Sequence, residues 1–424
     1  MTQSARFCPT CLERIRNQQE EIHAWLKKYE VSKELPLYSS VDVRDAGFKM
    51  AIVDTNLFPA GFNNLCEHGL ADSEKLMKAA ILNRVPGGKD ILIIAEEHTR
   101  NTWYLENVRI LQDIIRKAGF NAKIATFLSE PTPESCGEHP FLALTTATGA
   151  TVDIYCFKTI LQHIQTGKEK FDLIIMNNDL STGIPDVLRN SKIPIYPSIL
   201  AVWHSRSKTH HFGHMKDLIR EFAELVQMDP WQFSCLYTSV EQVDINVDGD
   251  RQKIADTASD LFQRIERKYR EHQIQEKPYI VLKSDSGTYG MGVLTVEDPS
   301  EIVQMGRRTK NKLYKGKSSQ IIHRYLLQEG VSTIYNIDNQ VSEVVIYQIE
   351  NNLVGGFYRS NSEKGERENL NSSGMEFKKI CPHLKKYGDC GVHHDVNVFD
   401  IYRILARIAA IAAHREIIQL EENQ

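Results

Sequence analysis

Short apolar runs alternate with amphipathic segments through the first half of the chain. Each run has the length of a buried strand, and stretches with helical spacing, such as residues 103–118, separate the runs. The runs lie at residues 50–53, 90–95, 122–125, 152–155 and 172–176. Strands and helices in this order predict a parallel α/β layer over residues 45–200. Ligands usually bind such layers at the carboxyl ends of the strands.

The pattern changes at residue 276. An amphipathic helix is predicted near the N-terminus, and residues 201–275 have mainly helical spacing. After residue 276 the sequence is typical of β-strands, whereas residues 399–418 have a helical pattern with one apolar stripe that predicts a core helix. We therefore predict an N-terminal helical segment (1–45), a parallel α/β substrate-binding domain (46–200), a helical linker (201–275) and a second domain (276–424).

Polar side chains follow three of the predicted strands, at the ends where ligands usually bind. They include Asp54, Asn56, Asn63 and Asn64 after the first strand, residues 96–101 with Arg100 after the second, and residues 177–179 after the last. Loops are polar in most proteins, so each cluster alone says little. Because all three clusters occupy equivalent positions, they favour a small polar ligand with ammonium and carboxylate groups.

The composition is typical of a globular protein rather than a disordered or fibrous one. Of 424 residues, 42% are apolar and 25% are charged, and no run approaches the ~18 apolar residues of a membrane span. The formal net charge of −4 gives no overall attraction to nucleic acid or to an anionic membrane. Since no secretory signal is visible, we expect a cytoplasmic protein whose eight cysteines are mostly free thiols.

A lysine and three closely spaced glycines form the most informative segment. Lys283 ends a predicted strand, and Gly287, Gly290 and Gly292 follow before a second strand begins. Glycines at this spacing let backbone N–H groups wrap phosphate oxygens, while the lysine supplies a mobile positive charge. The order G-x-x-G-x-G reverses the dinucleotide fingerprint, and no G-x-x-x-x-G-K-[ST] is present. The segment predicts a phosphate-binding loop, and a glycine-rich hairpin without a ligand is the alternative.

Polar residues downstream of this loop occur in the order of an ATP-binding site. An apolar strand ends in glutamine and glutamate, as a segment that contacts adenine would, and further carboxylates, an arginine and an asparagine follow. A lysine with a glycine loop, a hinge glutamate, a strand-end arginine and a carboxylate–asparagine cluster have this order in ATP-grasp enzymes. The downstream residues are Gln328, Glu329, Glu343, Arg359, Glu368 and Asn371.

Several longer strings make the chain resemble the ATP-grasp type of bacterial glutamate–cysteine ligase. They are KSDSGTYGMG (283–292), VGGFYRSN (354–361), ENLN (368–371), GMEF (374–377), DTNLFPAGFNN (54–64) and WHSR (203–206). The resemblance, over residues 45–380, implies an α/β protein with an N-terminal parallel α/β domain, a helical bridge and a C-terminal ATP-grasp domain. It implies that ATP and Mg²⁺ serve to join the γ-carboxylate of L-glutamate to the amine of L-cysteine, the first step of glutathione biosynthesis.

The resemblance also implies roles for individual residues. Lys283 and Arg359 would be catalytic, and a homo-oligomer is compatible with the sequence. ATP would contact Lys283, Ser286, Gly287, Thr288, Tyr289, Gly290, Gly292, Gln328 and Glu329. The magnesium ligands would be Glu343, Glu368 and Asn371, although the usual Glu-x-Asn of ATP-grasp enzymes is absent. The amino-acid substrates would contact Asp54, Asn56, Asn63, Asn64, Arg100 and Arg206.

Two other functions agree with the same residues. One is an ATP-grasp ligase with a different amino-acid acceptor, because selection between small acceptors can depend on a single contact. The other is a regulatory protein that binds ATP without turning it over. Release of ADP when both amino acids are present distinguishes an enzyme from the regulatory protein.

Cysteine and histidine clusters could bind a metal, but the cysteines lack a second C-x-x-C, and no acid motif accompanies His210 and His214, which have the i, i+4 spacing of helical zinc ligands. Cys8 and Cys11 form one C-x-x-C without a second. Their potential partners are distant and irregular in spacing: Cys381, His383, Cys390, His393 and His394. The histidines of residues 204–216 lie among Arg206, Lys208 and Lys216, which favours a basic segment beside the ligand cleft over a metal site.

Overall fold

The computed structural model describes residues 9–30, 35–127, 141–181, 183–202, 205–286, 292–314, 321–381 and 396–423. Its strands are β1 (Tyr38–Asp45), β2 (Met50–Asn56), β3 (Asp90–Ala95), β4 (Asn121–Thr126), β5 (Phe141–Thr145), β6 (Thr151–Cys156), β7 (Leu173–Asn177), β8 (Ile195–Tyr196), β9 (Tyr237–Glu241), β10 (Ile280–Ser284), β11 (Val293–Val296), β12 (Arg324–Glu329), β13 (Tyr335–Ile337), β14 (Gln340–Ile349), β15 (Asn352–Asn361) and β16 (Met375–Ile380).

The α-helices are α1 (Pro9–Asn17), α2 (Gln19–Lys27), α3 (Glu67–Arg84), α4 (Thr102–Lys117), α5 (Phe157–Gln165), α6 (Asp186–Arg189), α7 (Lys208–Leu225), α8 (Asp248–Glu271), α9 (Ser300–Val303), α10 (Arg307–Tyr314) and α11 (Val396–Glu422). Short 3₁₀ helices lie at Phe62–Asn64, Ile199–Ala201 and Pro230–Phe233. In the described parts of the chain, no helix combines the length and apolarity that a membrane span requires.

A mainly parallel sheet contains most of the predicted α/β layer. Its strand order is β5–β6–β4–β3–β7–β8, and every neighbouring pair except β5–β6 is parallel. Ile91 and Ile93 face one hydrophobic cluster, whereas Leu92 and Ile94 face another. Both faces of β3 are therefore covered, which explains why its sequence is continuously apolar rather than alternating.

The first apolar run, residues 50–53, does not belong to this parallel layer. It forms β2, which pairs antiparallel with β1 in a sheet of order β16–β15–β14–β1–β2, with β13 beside β14. The prediction for this run is wrong because a short buried strand has the same apolar pattern in parallel and antiparallel sheets. Its neighbour β1 pairs on the other side with β14 (residues 340–349), and no local pattern in the sequence connects these remote strands.

A smaller antiparallel sheet has the order β11–β10–β12–β9. Strand β9 comes from the segment predicted to be mainly helical, and it pairs with β12. Residues 201–275 are mainly helical, as predicted, because α7 and α8 account for most of the segment, and β9 is a strand that the helical spacing did not predict. Strands β10–β16 agree with the predicted β-rich character after residue 276.

Tyr38 and the C-terminal helix join the sheets. The Tyr38 hydroxyl at the start of β1 donates a hydrogen bond to the Met176 carbonyl oxygen on β7. Helix α11 packs in the same hydrophobic cluster as β1, β2, β14 and α7, and Ile401, Leu405 and Ile408 are at most 1% exposed. Burial of each such side chain contributes about 1.5–3 kcal/mol. The described part of the predicted C-terminal helix therefore is a core helix.

We expect Gly69→Ala to destabilise the packing of α3 on β15. A Cβ atom at residue 69 would lie 2.3 Å from the Val354 carbonyl oxygen, so helix or strand must move. The free energy of unfolding should fall by about 1–3 kcal/mol, measured by urea unfolding followed by circular dichroism. Gly249→Ala on α8 is the matched control, because a Cβ atom there meets nothing within 4 Å. Equal midpoints for Gly69→Ala and the unmodified chain would contradict this close contact.

Candidate active site

A cleft with an empty volume of about 840 Å³ opens between the two antiparallel sheets. Residues of β10, β11 and β12 line one wall, and residues of β1, β2, β14 and β15 line the other. The rest of the lining consists of Lys208, Tyr279, Val331, Arg367, Glu368, Asn369 and Asn371. The walls of the cleft carry many charged side chains, among them Asp54, Lys283 and Arg359.

Many residues that the sequence predicts for ATP, metal and substrate line this one cleft. They are Asp54, Lys283, Gln328, Glu329, Glu343, Arg359, Glu368 and Asn371. Ser286 is exposed directly after β10, and Gly292 precedes β11 with a φ of +65°, a conformation that favours glycine. The predicted phosphate contacts Gly287, Thr288, Tyr289 and Gly290 lie outside the described residues.

Lys283 is a buried cation on the floor of the cleft. Its Nζ donates a hydrogen bond to the Val53 carbonyl oxygen at 2.8 Å. Burial lowers the pKa of Lys283 to about 8, against the opposing effect of the Asp54 carboxylate. The ammonium therefore has few anionic partners to compensate its lost hydration, and an anionic ligand would supply that compensation.

Asp54 and Lys208 form an ion pair beside Lys283. The Lys208 Nζ lies 2.5 Å from the Asp54 Oδ1. Burial raises the pKa of a carboxyl, but the ammonium groups of Lys208 and Lys283 outweigh burial and lower the pKa of Asp54 to about 2. Lys208 is the first residue of α7, so the basic segment predicted near a cleft does supply one lining cation.

Arg359 belongs to a cluster of alternating charges on β1, β14 and β15. Its Nη1 lies 2.8 Å from Asp42 Oδ2 and 2.7 Å from Glu343 Oε1. The Arg44 Nε lies 2.5 Å from the other oxygen of Glu343. Burial raises the pKa of Glu343, but Arg44 and Arg359 outweigh it and lower that pKa. The two carboxylates raise the pKa of Arg359 despite its burial, so Arg359 stays charged.

Glu343 thus contacts two guanidinium groups, and its role as a magnesium ligand stays a prediction. Both of its carboxylate oxygens contact arginine nitrogens, and its side chain is 5% exposed. Direct coordination of a metal would require the ion to replace one of these arginines. The Arg359 Nε is buried and, among the described residues, has no hydrogen-bond partner. A charged donor is therefore available where Arg359 lines the cleft.

Residues 366–371 form the side of the cleft that carries Glu368 and Asn371. Arg44 holds this loop, since its Nη1 and Nη2 each donate at 2.8 Å to the carbonyl oxygens of Glu366 and Glu368. The Gly365 N–H and the Lys364 ammonium lower the pKa of Glu368, whose side chain is 47% exposed. Glu368 is therefore an ionised carboxylate that solvent can reach.

Glu329 and Gln328 at the end of β12 differ in what they offer a ligand. The Glu329 carboxylate pairs with Lys49 Nζ at 2.9 Å and accepts hydrogen bonds from Trp231 Nε1 and the Leu236 N–H. The Glu329 carboxylate therefore already has three protein partners. Gln328 Nε2 is buried and lacks a hydrogen-bond partner within the described part of the chain. Buried amide groups are normally hydrogen-bonded, so this amide could donate a hydrogen bond to an acceptor atom of a ligand.

Arg206 lies in a buried ion pair and does not line the cleft. Its Nε and Nη2 donate to Glu416 Oε2 at 3.1 and 2.9 Å. Burial raises the pKa of a carboxyl, but Arg206 outweighs this effect and lowers the pKa of Glu416 to about 2. Arg206 also donates to the Thr55 carbonyl oxygen at 3.4 Å. Arg206, which was predicted to contact a substrate, therefore supports the end of β2, next to Asp54.

The remaining predicted substrate residues lie apart from this cleft. Asn56 Oδ1 accepts a hydrogen bond from the Phe58 N–H, and Asn63 Nδ2 donates to Asn64 Oδ1. Arg100 lines a separate shallow pocket formed by residues 97–102. The polar residues that follow the parallel strands do not line the cleft. One of them, Asn178, donates a hydrogen bond from its Nδ2 to the Ala95 carbonyl oxygen within the parallel sheet.

Sequence reasoning did not identify Asp42, Arg44 or Arg367 as lining residues. One signal was available for the first two. In β1 the sequence Val41-Asp-Val-Arg44 alternates apolar and charged residues, as a strand with one charged face does. The N-terminal segment was predicted only from its helical spacing, which does not extend to these residues.

Comparison with known proteins supports one family across the chain. The family model for glutamate–cysteine ligase matches residues 13–417. No curated protein matches the sequence. The chain is similar in structure to a protein from Methylobacillus flagellatus KT provisionally named gamma-glutamylcysteine synthetase, with a TM-score of 0.83 and 32% identity. That similarity covers 98% of this chain and 96% of the other.

Two further structures are much more distant. D-alanyl-alanine synthetase A from Vibrio cholerae O1 biovar eltor is 12% identical, with a TM-score of 0.36 over 76% of this chain and 81% of the other. A glutathione synthetase-like effector from Globodera pallida is 11% identical, with the same TM-score over 89% and 86%. These scores are too low to support a shared fold. On the family match and the Methylobacillus structure, the chain belongs to the glutamate–cysteine ligase family and is a ligase.

Proposed function

We propose that the chain joins the γ-carboxylate of L-glutamate to the amine of L-cysteine, with cleavage of ATP to ADP and phosphate. The observation that carries this proposal is the convergence of Lys283, Arg359, Asp54 and Glu368 on one cleft in a member of this ligase family. Cations for phosphate and ionised carboxylates for ammonium or metal are thereby present in one place. The product would be γ-glutamylcysteine, the first intermediate of glutathione biosynthesis.

The reaction would proceed through an acyl phosphate, because a free carboxylate does not acylate an amine. A γ-carboxylate oxygen of glutamate attacks the terminal phosphorus of ATP, forming a new O–P bond as the bond to ADP breaks. The amine of cysteine then attacks the acyl carbon, and phosphate and a proton leave. Phosphoryl transfer of this kind requires positioning and neutralisation of charge more than covalent catalysis.

ATP would bind between the two antiparallel sheets, as the ATP-grasp resemblance implies. Lys283 and the backbone of residues 286–292 would contact the phosphates, and the unpaired Gln328 amide would donate to the adenine. Glu329 would contribute its backbone rather than its occupied side chain. The Gln328 assignment uses an amide that has no hydrogen-bond partner in the described part of the chain.

The residues around the cleft fit Mg²⁺, which prefers one or two carboxylates together with substrate phosphates and water. Glu368 is ionised and accessible, and Asn371 adds an amide oxygen on the same loop. Bound Mg²⁺ would neutralise negative charge on the phosphates. Glu343 would instead hold Arg359, whose guanidinium would stabilise charge that develops on the transferred phosphoryl group and on the tetrahedral intermediate.

Asp54 and Lys208 would orient an amino acid beside Lys283. A substrate ammonium could pair with the Asp54 carboxylate, and a substrate carboxylate with the Lys208 ammonium. Binding would exchange their present ion pair for two pairs with the substrate. Arg206 would act indirectly, because its contacts fix the end of β2 that carries Asp54.

The test is an assay of ADP release and product mass with ATP, Mg²⁺, glutamate and a panel of amino-acid acceptors. We expect ADP release to require both amino acids and to be fastest with cysteine, with formation of γ-glutamylcysteine. Release that is equal for cysteine and alanine would favour another acceptor. Binding of ATP without ADP release under any combination would overturn the catalytic proposal and favour a regulatory protein.

We expect Arg359→Ala to lower kcat by roughly 10²–10³-fold, or about 3–4 kcal/mol, if Arg359 stabilises transition-state charge. Removal of the guanidinium also leaves Asp42 and Glu343 without their partner, so thermal unfolding must be measured in parallel. Arg359→Lys keeps a cation and should fold better while remaining slow. Arg109→Ala, which removes an ion-paired arginine on α4, should leave turnover near the original value. A folded Arg359→Ala chain with normal turnover would remove Arg359 from the mechanism.

The pKa of Lys283 predicts how ATP binding depends on pH. Because burial lowers this pKa to about 8, the lysine loses its proton as pH rises through 8, and phosphate affinity should fall. The Kd of a non-hydrolysable ATP analogue should rise by up to about tenfold per pH unit above that point, measured by calorimetry without cysteine. In Lys283→Arg the cation persists, so the Kd should change little with pH. The same pH dependence in both chains would exclude Lys283 as its cause.

A further inference from the structure

Two cysteines and a histidine form a cluster outside the cleft. The side-chain donor atoms of Cys66, His68 and Cys381 all lie within 4.8 Å of one another. Cys66 and Cys381 are each 2% exposed, and His68 is partly exposed. None of the three lines the cleft, so the proposed ligase chemistry assigns them no role.

Two separate parts of the fold bring these donors together. Cys66 is the N-cap of α3, where its Sγ accepts a hydrogen bond from the Gly69 N–H at 3.4 Å. Because Gly69 has no side chain, this end of α3 can lie directly against the Val354 carbonyl oxygen on β15. Strand β16 pairs with β15, with Ile380 opposite Gly356, so Cys381 leaves the sheet at the same place.

The types and separations of these donors match a zinc ion. Two sulfurs and one imidazole are the usual ligands of tetrahedral Zn²⁺. The Cys381 Sγ lies 3.7 Å from the His68 Nδ1. Two ligands on one tetrahedral zinc, with Zn–S and Zn–N bonds of ordinary length, are about 3.6 Å apart. Little rearrangement would therefore bring both atoms into coordination.

The N-terminus of α3 also favours the form of Cys66 that binds a metal. Zinc coordinates thiolate rather than thiol, so binding releases a proton from each cysteine. Partial positive charge at a helix N-terminus stabilises a nearby thiolate, and the Gly69 N–H already donates to this sulfur. Its position as N-cap thus prepares Cys66 for coordination.

We propose that Cys66, His68 and Cys381 bind a Zn²⁺ ion that links the end of β16 to the start of α3. The three donors leave one tetrahedral position for water or a further donor. Cys381 is 313 positions from His68 in the sequence, so the ion would join distant parts of the chain. The competing chemistry is a disulfide between Cys66 and Cys381. The His68 Nδ1 lies 3.7 Å from the Cys381 Sγ, and a nitrogen donor beside the sulfurs favours a metal ion.

The first test is the zinc content of the untagged full-length chain, purified under reducing conditions and supplied with Zn²⁺ before gel filtration. Cys66→Ser, Cys381→Ser and His68→Gln should each contain about one zinc per chain less than the unmodified protein. Cys156→Ser is the matched control, because Cys156 is also a buried cysteine at a helix N-cap, that of α5. It should keep the full zinc content. Since other cysteines and histidines could bind zinc, the difference between chains is the measurement.

Substitution with Co²⁺ tests the geometry. The unmodified chain and Cys156→Ser should show the sulfur-to-cobalt charge-transfer and intense visible bands of a tetrahedral thiolate site, and Cys381→Ser should lose intensity in both regions. If the cysteine variants fail to fold, His68→Gln keeps both thiols and must still lower the zinc affinity at least tenfold. Equal zinc content in all chains, an unmodified chain without zinc after reconstitution, or a Cys66–Cys381 disulfide found by mass spectrometry would each overturn the proposal.

Discussion

The pairing of β1 with β14 is the contact on which the cleft depends. It places Asp42 and Arg44 on one strand beside Glu343 and Arg359 on the two that follow, so two cations and two anions alternate in a largely buried site. Buried charges are tolerated only when paired, and removal of one member leaves its partners uncompensated. The strand register and the charge cluster therefore stabilise each other, because a shift by one residue would turn these side chains to the opposite face.

The same cluster positions the rest of the cleft. Arg44 reaches from Glu343 to the loop that carries Glu368, and thereby couples the sheet to that side of the cleft. Across the cleft, Lys283 contacts β2 through the Val53 carbonyl oxygen. On the wall formed by β1, β14 and β15, the arginines Arg44 and Arg359 are paired with carboxylates. The Lys283 ammonium, on the other wall, has a backbone carbonyl oxygen as its hydrogen-bond acceptor. This asymmetry suits a polyanionic nucleotide, which could satisfy Lys283 without displacing the Arg359 pairs.

Much of the fold and part of the site could be predicted from the sequence. Long apolar runs identified β3, β4, β6 and β7 because their burial on both faces requires such runs. Lys283, Arg359 and Glu368 were predicted through motif order and do line one cleft. The assignment of β2 to the parallel layer was wrong, because a short apolar run looks the same in parallel and antiparallel sheets. The pairing of β9 with β12 and the ion pair of Arg206 with Glu416 could not be predicted, because each joins residues that are far apart in the sequence.

The sequence by itself determined the types of element, the family and the chemical groups available for catalysis, because periodicity and motif order are local properties. Only the tertiary structure decided which of these groups meet. It brought the unpredicted Asp42 and Arg44 to the cleft and occupied the side chains of Glu329 and Glu343 with other residues. It also placed Cys66 and His68 beside Cys381. The physical reason is that pairing between distant strands and the compensation of buried charge depend on contacts in space, which no spacing along the chain encodes.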